Sequence, residues 1–263
     1  MKSARLAGLA AALAALAGCA AVPDAGPALK PAVQTTGEES NERLRARIHT
    51  ELAAGYFELG NLGVALEEVN EALRADANYG PAYNVAGLVY AQLREDRLAE
   101  ESFQRALRIN PLDHDANNNY GSYLCQRKRE EEAIKYFLAA VRNPLYKTPE
   151  RSYVNAGMCA RRLGDLPRAL EFFALALKVR PDQPQALYHM ADLAYARGDY
   201  GEAKSYLDRL VRAGPETAEA LWLGVRIERR LGDRDTEASY AQRLRRNFPG
   251  SREAQALNAG RIE

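Results

Sequence analysis

Small and large apolar residues recur along this chain at a nearly fixed interval. Five alanines, spaced 34, 34, 36 and 34 residues apart, each lie in a copy of one pattern. A small residue precedes each alanine by 12 positions, and a large apolar residue follows it after four. The alanines are Ala65, Ala99, Ala133, Ala169 and Ala203. A period of this length indicates a repeat protein in which each copy is one supersecondary unit.

Each copy has the composition of a helical hairpin. The small residues let a first helix approach a second one closely, and the large apolar residues fill the space between them. Prolines stand where the second helix should end, because proline has no backbone N–H to donate. The three columns are Ala53, Gly87, Gly121, Gly157 and Ala191, then Val69, Phe103, Phe137, Phe173 and Leu207, then Pro111, Pro181 and Pro215. This is the tetratricopeptide (TPR) pattern, and it predicts an all-α fold, a right-handed superhelix of about six TPR hairpins.

The repeats are expected within residues 45–251, and the outer copies match the pattern less well. In the sixth copy Val225 falls in the small-residue column and Glu237 in the alanine column. Ser251 can cap a short amphipathic run, so a C-terminal capping helix is predicted within residues 252–263. The six expected repeats cover about 46–79, 80–113, 114–149, 150–183, 184–217 and 218–251.

The N-terminus predicts a location. A basic start and an apolar run at residues 6–16 are typical of a secretory signal peptide, placed at residues 1–18. Leu16-Ala17-Gly18-Cys19 resembles a lipoprotein signal, which implies lipid modification of Cys19 after cleavage. Ala20, in place of Asp, then favours the Gram-negative outer membrane, with the protein facing the periplasm. An ordinary signal peptide with an incidental Cys19 is the alternative. Residues 19–44, rich in Pro, Gly and polar residues, are expected to form a flexible tether.

Two further cysteines lie late in the first helices of consecutive repeats. Cys125 and Cys159 would be an even pair in an oxidising compartment, and adjacent packed helices bring Cα atoms within disulfide range. A disulfide is therefore predicted. Two buried free thiols acting as small apolar residues are the alternative.

The charges are balanced, with 36 basic and 35 acidic residues, so no global field favours nucleic acid as a partner. Clustered arginines are either solvated helix faces or part of a groove that takes an anionic peptide tail. Those at groove positions are Arg161, Arg162, Arg226, Arg229 and Arg230. Asn84 and Asn118 are expected to face that groove and to clamp a peptide backbone, since an amide both donates and accepts. Asn117 and Asn119 either share that task or cap and bridge helices internally. The predicted groove residues are Asn84, Leu88, Asn118, Ser122, Arg161 and Tyr188.

Nothing in the sequence indicates an enzyme. The three histidines, His49, His114 and His189, lie in different repeats with no metal-ligand spacing. No nucleophile elbow, phosphate-binding loop or zinc-protease motif is present. We therefore expect no catalytic residues, no metal, no cofactor and no small-molecule substrate.

One stretch departs from generic TPR sequence. Residues 117–125 contain Asn-Asn-Asn-Tyr-Gly-Ser-Tyr-Leu-Cys, residues 143–150 contain Asn-Pro-Leu-Tyr-Lys-Thr-Pro-Glu, and Ala-Gly-Met-Cys follows at 156–159. Together with the lipoprotein signal and six repeats, this stretch resembles the PilF/PilW family of type IV pilus biogenesis lipoproteins. The resemblance implies a pilotin, which binds outer-membrane secretin subunits and promotes their localisation and multimerisation. The alternative is a periplasmic TPR adaptor that scaffolds cell-wall hydrolases or proteases.

Overall fold

The computed structural model describes residues 40–261, which form thirteen α-helices and contain no strand. Twelve helices pair as hairpins of consecutive elements, and the last packs against α11 and α12. No helix in the described range is long and apolar enough to cross a membrane. The helices are α1 (Asn41–Glu58), α2 (Leu62–Ala75), α3 (Gly80–Gln92), α4 (Asp96–Ile109), α5 (His114–Gln126), α6 (Glu130–Ala140), α7 (Pro149–Arg162), α8 (Leu166–Val179), α9 (Pro184–Ala196), α10 (Tyr200–Ala213), α11 (Ala218–Leu231), α12 (Arg234–Asn247) and α13 (Arg252–Asn258).

The first helix begins earlier than the sequence pattern predicted. Residues 41–44 were expected in the tether, but they form the first turn of α1. The Ser40 side chain accepts a hydrogen bond from the backbone N–H of Arg43 at 3.2 Å, so it caps the helix. Arg43 in turn forms an ion pair at 3.1 Å with Asp76, the residue that follows α2, so the start of α1 and the end of α2 are joined. The predicted signal peptide, Cys19 and the tether up to residue 39 lie outside the described residues.

Close contact between a glycine and an aromatic ring holds four of the hairpins together. A Cβ atom added at Gly87, Gly121, Gly157 or Gly224 would lie only 2.6–2.9 Å from the ring 16 residues later. Those rings belong to Phe103, Phe137, Phe173 and Tyr240. In the first and fifth hairpins the corresponding pairs are Ala53 with Val69 and Ala191 with Leu207, and each pair is buried in one core cluster. An aromatic ring is therefore accompanied by a glycine, and a smaller Val or Leu by an alanine.

The sixth hairpin keeps the register that the sequence pattern predicted, but its aromatic ring packs differently. Its left-handed turn residue, Gly232, follows Val225 by seven residues, just as Gly164 follows Gly157. Val225 and Glu237, in the small-residue and alanine columns, are both buried. The ring of Tyr240 packs against Gly224, the residue before Val225. The sixth hairpin therefore has a glycine–aromatic contact of its own, displaced by one residue from the small-residue column.

The hairpins stack with their first helices on one side. Contacts join α1 to α3, α3 to α5, α5 to α7 and α9 to α11, while consecutive second helices make no comparable contact within residues 40–261. Closer spacing of the first helices curves the array toward them. We call the surface that α1, α3, α5, α7, α9 and α11 form the inner groove.

The interval of 36 residues between Ala133 and Ala169 corresponds to a longer connection between hairpins. Residues 141–148 link α6 to α7, whereas four residues link the other second helices to the next hairpin. Tyr146 from this connection is buried, with its ring 4.6 Å from the ring of His114. Asn143 donates to the carbonyl of Leu112 at 2.7 Å. The longer connection is therefore anchored to the preceding hairpin.

Candidate peptide-binding groove

The six predicted groove residues all lie on first helices, but they differ in exposure. Asn84 and Asn118 are buried, at 7% and 9% exposure, and the other four are half-buried. Leu88 packs against the central core, which contains Phe137 and Phe173. Tyr188 packs against the C-terminal core, which contains Leu207 and Tyr240. The groove floor is therefore mostly packed side chain, with polar atoms reaching solvent at a few points.

Two asparagine amides connect neighbouring first helices. The Asn84 Oδ1 atom accepts from Asn119 Nδ2 at 3.2 Å. The Asn118 Oδ1 atom accepts from the Ser152 hydroxyl at 2.9 Å and from Asn155 Nδ2 at 3.1 Å. The Nδ2 groups of Asn84 and Asn118 have no partner among the described residues and are not fully buried. The Oδ1 atom of each amide thus accepts hydrogen bonds within the protein, while its Nδ2 group is left to donate to a partner.

Asn117 and Asn119, on either side of Asn118, make hydrogen bonds within the protein. Asn117 Nδ2 donates to the carbonyls of Pro111 and Asp113 at 2.9 and 2.8 Å, which ties the start of α5 to the preceding turn. Asn119 bridges to Asn84 as described. Of the two interpretations for Asn117 and Asn119, the structure shows the internal one.

The Cys125 and Cys159 side chains are joined as a disulfide in the structure, with their Cα atoms 6.0 Å apart. Both residues are buried beneath the inner groove. A cavity of about 140 Å³ opens above them, lined by Ser122, Asn155, Met158 and Arg162 among others. Arg162 donates to the carbonyl of Cys125 at 3.3 Å. The disulfide therefore forms part of the groove floor.

Arg161 belongs to a polar cluster further along the groove. Its guanidinium donates to Asp192 at 2.6 Å and to His189 Nδ1 at 3.1 Å. Burial, together with the Arg161 charge, lowers the pKa of His189 to about 4, against the opposing effect of Asp192. His189 is therefore neutral, with Nδ1 as an acceptor. The His189 ring stacks on Phe173 at 4.8 Å and meets Tyr188 edge-on at 5.4 Å.

Ser122, Arg161 and Tyr188 thus lie along one surface. The cavity above the disulfide and a second depression of about 310 Å³ share Met158 and Arg162 in their linings. The second depression also includes Arg161 and His189, and Tyr188 adjoins His189. Arg162, one of the clustered arginines expected at the groove, and Met158, which was not predicted, therefore connect these positions.

A second apolar surface was not predicted. Ile48, Leu52 and Leu59 on and after α1 are 45%, 45% and 74% exposed and line a depression of about 490 Å³ with Tyr56. Their spacing follows a helical face, so the signal was present in the sequence but lay outside the repeat columns.

No group of three or more His, Cys, Asp or Glu side chains within residues 40–261 is arranged to hold a metal ion.

Comparison with known proteins identifies the family. The sequence pattern of the Tetratricopeptide repeat family matches residues 50–111, 84–146 and 160–223. The type IV pilus assembly protein PilF of Pseudomonas aeruginosa is 34% identical over 160 residues, 61% of this chain and 64% of that protein. A solved structure of Pseudomonas aeruginosa PilF superposes with a TM-score of 0.75 and 32% identity, covering 84% of this chain and all of that one. The chain belongs to the PilF/PilW family of type IV pilus biogenesis TPR proteins.

Two further structures are similar. PilW, described as a widely conserved type IV pilus biogenesis factor, has a TM-score of 0.70 and 32% identity, covering 81% of this chain and 97% of that one. YrrB, a TPR protein described as having an unusual peptide-binding site, has a TM-score of 0.50 and 25% identity, covering 66% and 88%. The sequence alignment with PilF spans less than two-thirds of that relative's length. The predicted family and the all-α TPR fold are confirmed.

In this PilF/PilW-family chain, the stretch that carries the resemblance builds a joint between the second, third and fourth hairpins. Tyr120 is fully buried, and its hydroxyl donates to Glu100 at 3.0 Å. Arg129 donates to the same carboxylate at 2.9 and 3.0 Å and holds the pKa of Glu100 below its ordinary value. Tyr123 donates to the carbonyl of Asp96 at 3.0 Å. With the asparagine bridges and the disulfide, these contacts fix how the hairpins stack.

Proposed function

We propose that this protein is a pilotin, an outer-membrane lipoprotein that binds secretin subunits and promotes their localisation and multimerisation for type IV pilus biogenesis. The observation that carries the proposal is the pair of unpartnered Nδ2 groups on Asn84 and Asn118, on consecutive first helices of a PilF/PilW-family array. We propose that the protein acts by binding and not by catalysis, as TPR arrays are protein-interaction modules.

The proposed binding mode follows from these two amides. An extended peptide presents carbonyl groups along its backbone, and a side-chain amide can donate to them whatever the neighbouring side chains are. Because the Oδ1 atoms of Asn84 and Asn118 are already held by neighbouring helices, the Nδ2 groups are fixed in orientation. A fixed donor loses less conformational entropy on binding than a mobile one. The peptide-binding site described for YrrB supports this use of a similar array.

The proposed anchor is the lipid on Cys19, which lies outside the described residues. Acyl chains bury methylene groups at about 0.8 kcal/mol each, so several of them hold a protein at a membrane without a spanning helix. Tethering raises the effective concentration of the groove near secretin subunits that arrive at the same membrane, without adding contacts.

The test of the binding mode separates the donor from the acceptor. Asn118→Asp keeps an acceptor for Ser152 and Asn155 but removes the Nδ2 donor. The matched control is Asn70→Asp, which makes the same charge change at an exposed residue of α2. In pull-downs from detergent-solubilised envelopes, we expect the wild type and Asn70→Asp to capture secretin subunits and Asn118→Asp to capture less. Equal capture by all three would remove Asn118 from the binding mode.

The same pull-down tests the function. Capture of peptidoglycan hydrolases or proteases without secretin would favour the adaptor alternative.

For the anchor, Cys19→Ser should move the protein from the outer-membrane fraction to the soluble periplasm and reduce secretin multimers. Full multimer formation with a soluble protein would show that the anchor is not needed.

A further inference from the structure

The arginines of the inner groove differ in how far their charges are neutralised. Arg161 is paired with Asp192 at 2.6 Å, and Arg229 with Glu237 at 2.7 Å. Arg162 donates to the carbonyl of Cys125. Arg226, on the groove side of α11, has no carboxylate within 4.0 Å among residues 40–261, and its Nε atom is buried with no acceptor there. Arg226 is thus a guanidinium without a directly paired carboxylate in the described part of the chain.

Aromatic packing holds the Arg226 guanidinium in place. Its Cζ atom lies 4.3 Å from the centroid of the Tyr195 ring, at a distance typical of a cation–π contact. The side chain is half-buried. Since an arginine fork stacked on a ring has a fixed plane, its remaining N–H groups point in fixed directions and can meet both oxygens of a carboxylate.

The surroundings complete a binding surface. Trp222 lies one helical turn before Arg226, so both side chains are on the same face of α11. Tyr188 lies on the neighbouring first helix, α9. Burial raises the pKa of Tyr188, and the charges of Asp192, Glu219, Arg161 and Arg226 also act on it, so these groups lie in one region. Tyr188 and Trp222 are both half-buried. An anion at Arg226 would therefore sit beside exposed ring surface.

The groove continues past Arg226. Trp222 also lines a depression of about 520 Å³ with Arg252, Gln255 and Arg261 from the capping helix and the residues after it. A bound segment that crosses Arg226 can continue toward this depression and does not need to end at the arginine. Two more cationic side chains, Arg252 and Arg261, line that depression together with the acidic Glu253.

We propose that Arg226 binds the side-chain carboxylate of an Asp or Glu within the extended partner segment. The inference rests on the proposed function in one respect, that the inner groove takes an extended segment. It adds a charge requirement at the C-terminal end of the groove, about four hairpins beyond Asn84. Desolvation of Arg226 is then offset when the partner supplies a directly paired carboxylate.

The test uses a random 12-residue phage-display library, panned against the full-length protein and against its Arg226→Met variant. We expect peptides selected by the wild type to carry Asp or Glu at one fixed position and those selected by Arg226→Met to lack this preference. A synthetic selected peptide should bind Arg226→Met about ten-fold to a hundred-fold more weakly, as expected for loss of a charged hydrogen-bonded pair. Arg226→Lys, which keeps the charge but not the fork, should be intermediate.

Controls separate this site from general charge effects. Arg108→Met removes an exposed arginine of α4, a second helix outside the groove, and should bind like the wild type. Changing the peptide's acid to its amide should weaken wild-type binding and leave Arg226→Met unaffected, whereas amidating the peptide C-terminus should change nothing. A library that yields no peptides, peptides without an acidic preference, or equal binding by Arg226→Met would overturn the proposal.

The two proposals can fail separately. If the protein binds acidic peptides but captures no secretin, the carboxylate site is supported and secretin is rejected as the partner. If it captures secretin and Arg226→Met captures as much, the pilotin function is supported and the carboxylate site is rejected.

Discussion

The ring of Phe173 occupies the space where a side chain at Gly157 would begin, with its Cε1 atom 2.6 Å from the position of a Cβ atom. Both residues are buried in the central core. The glycine is thus required by the ring and not by the backbone conformation of α7.

We expect Gly157→Ala to lower the free energy of unfolding by roughly 1 kcal/mol. Overpacking costs about 1–3 kcal/mol, and it outweighs the gain of about 1 kcal/mol in helix propensity. The penalty should shrink in a Phe173→Leu background, since Ala191 already pairs with Leu207 in the core of the fifth hairpin. Urea unfolding of the four proteins in this double-mutant cycle measures the coupling. Gly55→Ala in α1, where a new Cβ meets nothing within 4 Å, should stabilise the protein instead.

The disulfide between Cys125 and Cys159 closes a loop with a sequence separation of 34 residues. In the chain-entropy model, a loop of that length stabilises the fold by about 3–4 kcal/mol. Oxidised wild type should therefore unfold at higher denaturant than reduced wild type, and Cys125→Ala/Cys159→Ala should show no dependence on reductant. Alkylation and mass spectrometry of protein isolated from cells without reductant test the bond in the cell. Two freely alkylated thiols there would contradict the prediction.

His189 should make stability depend on pH. Its pKa is about 4 in the folded protein and 6.5 ordinarily, so the unfolded chain binds more protons between these values. Stability is then fully present above about pH 7 and decreases as the pH falls toward 4, by on the order of 2–3 kcal/mol. Chemical denaturation from pH 7.5 to 4.5 measures this loss. His189→Gln should flatten the curve in that range, and an unchanged slope would assign the effect to other groups.

Two turns between paired helices hold non-glycine residues in a left-handed conformation. Arg94 and Lys128 have φ angles of 63° and 61°, whereas Gly60, Gly164, Gly198 and Gly232 occupy the same position in the other hairpins. A left-handed residue other than glycine costs about 1 kcal/mol. Lys128→Gly should therefore raise the melting temperature by a few degrees. The reverse change, Gly164→Lys, should lower it, and thermal unfolding by circular dichroism compares the two.

The repeat pattern predicted the features that depend on which residues face each other within one hairpin. The glycine–aromatic contact at Gly121 and Phe137 follows from spacing alone, because a helical hairpin fixes the partners. The same spacing puts Val225 and Glu237 in the small-residue and alanine columns of the sixth repeat, and both are buried there. The spacing did not show that the Tyr240 ring would pack against Gly224, the residue before the column.

Contacts between hairpins were harder to predict. Arg161 meets Asp192 31 residues away, and Asn118 meets Ser152 34 residues away. A helical period gives the face on which a side chain lies, but the partner on the next hairpin depends on the stacking angle and on rotamers. The sequence therefore predicted a polar groove at Asn118 and Arg161 without showing that their main acceptors and charges are already used internally.

The joint between α5 and α7 has a mechanical consequence. There a covalent bond and the bridges from Asn118 add to the packing, whereas noncovalent contacts alone hold the remaining hairpins together within the described range. Stretched from its two ends, the array would lengthen first by separation of the unlinked hairpins, and the segment closed by Cys125 and Cys159 would resist extension. The central hairpins therefore act as the stiff element of an otherwise elastic chain.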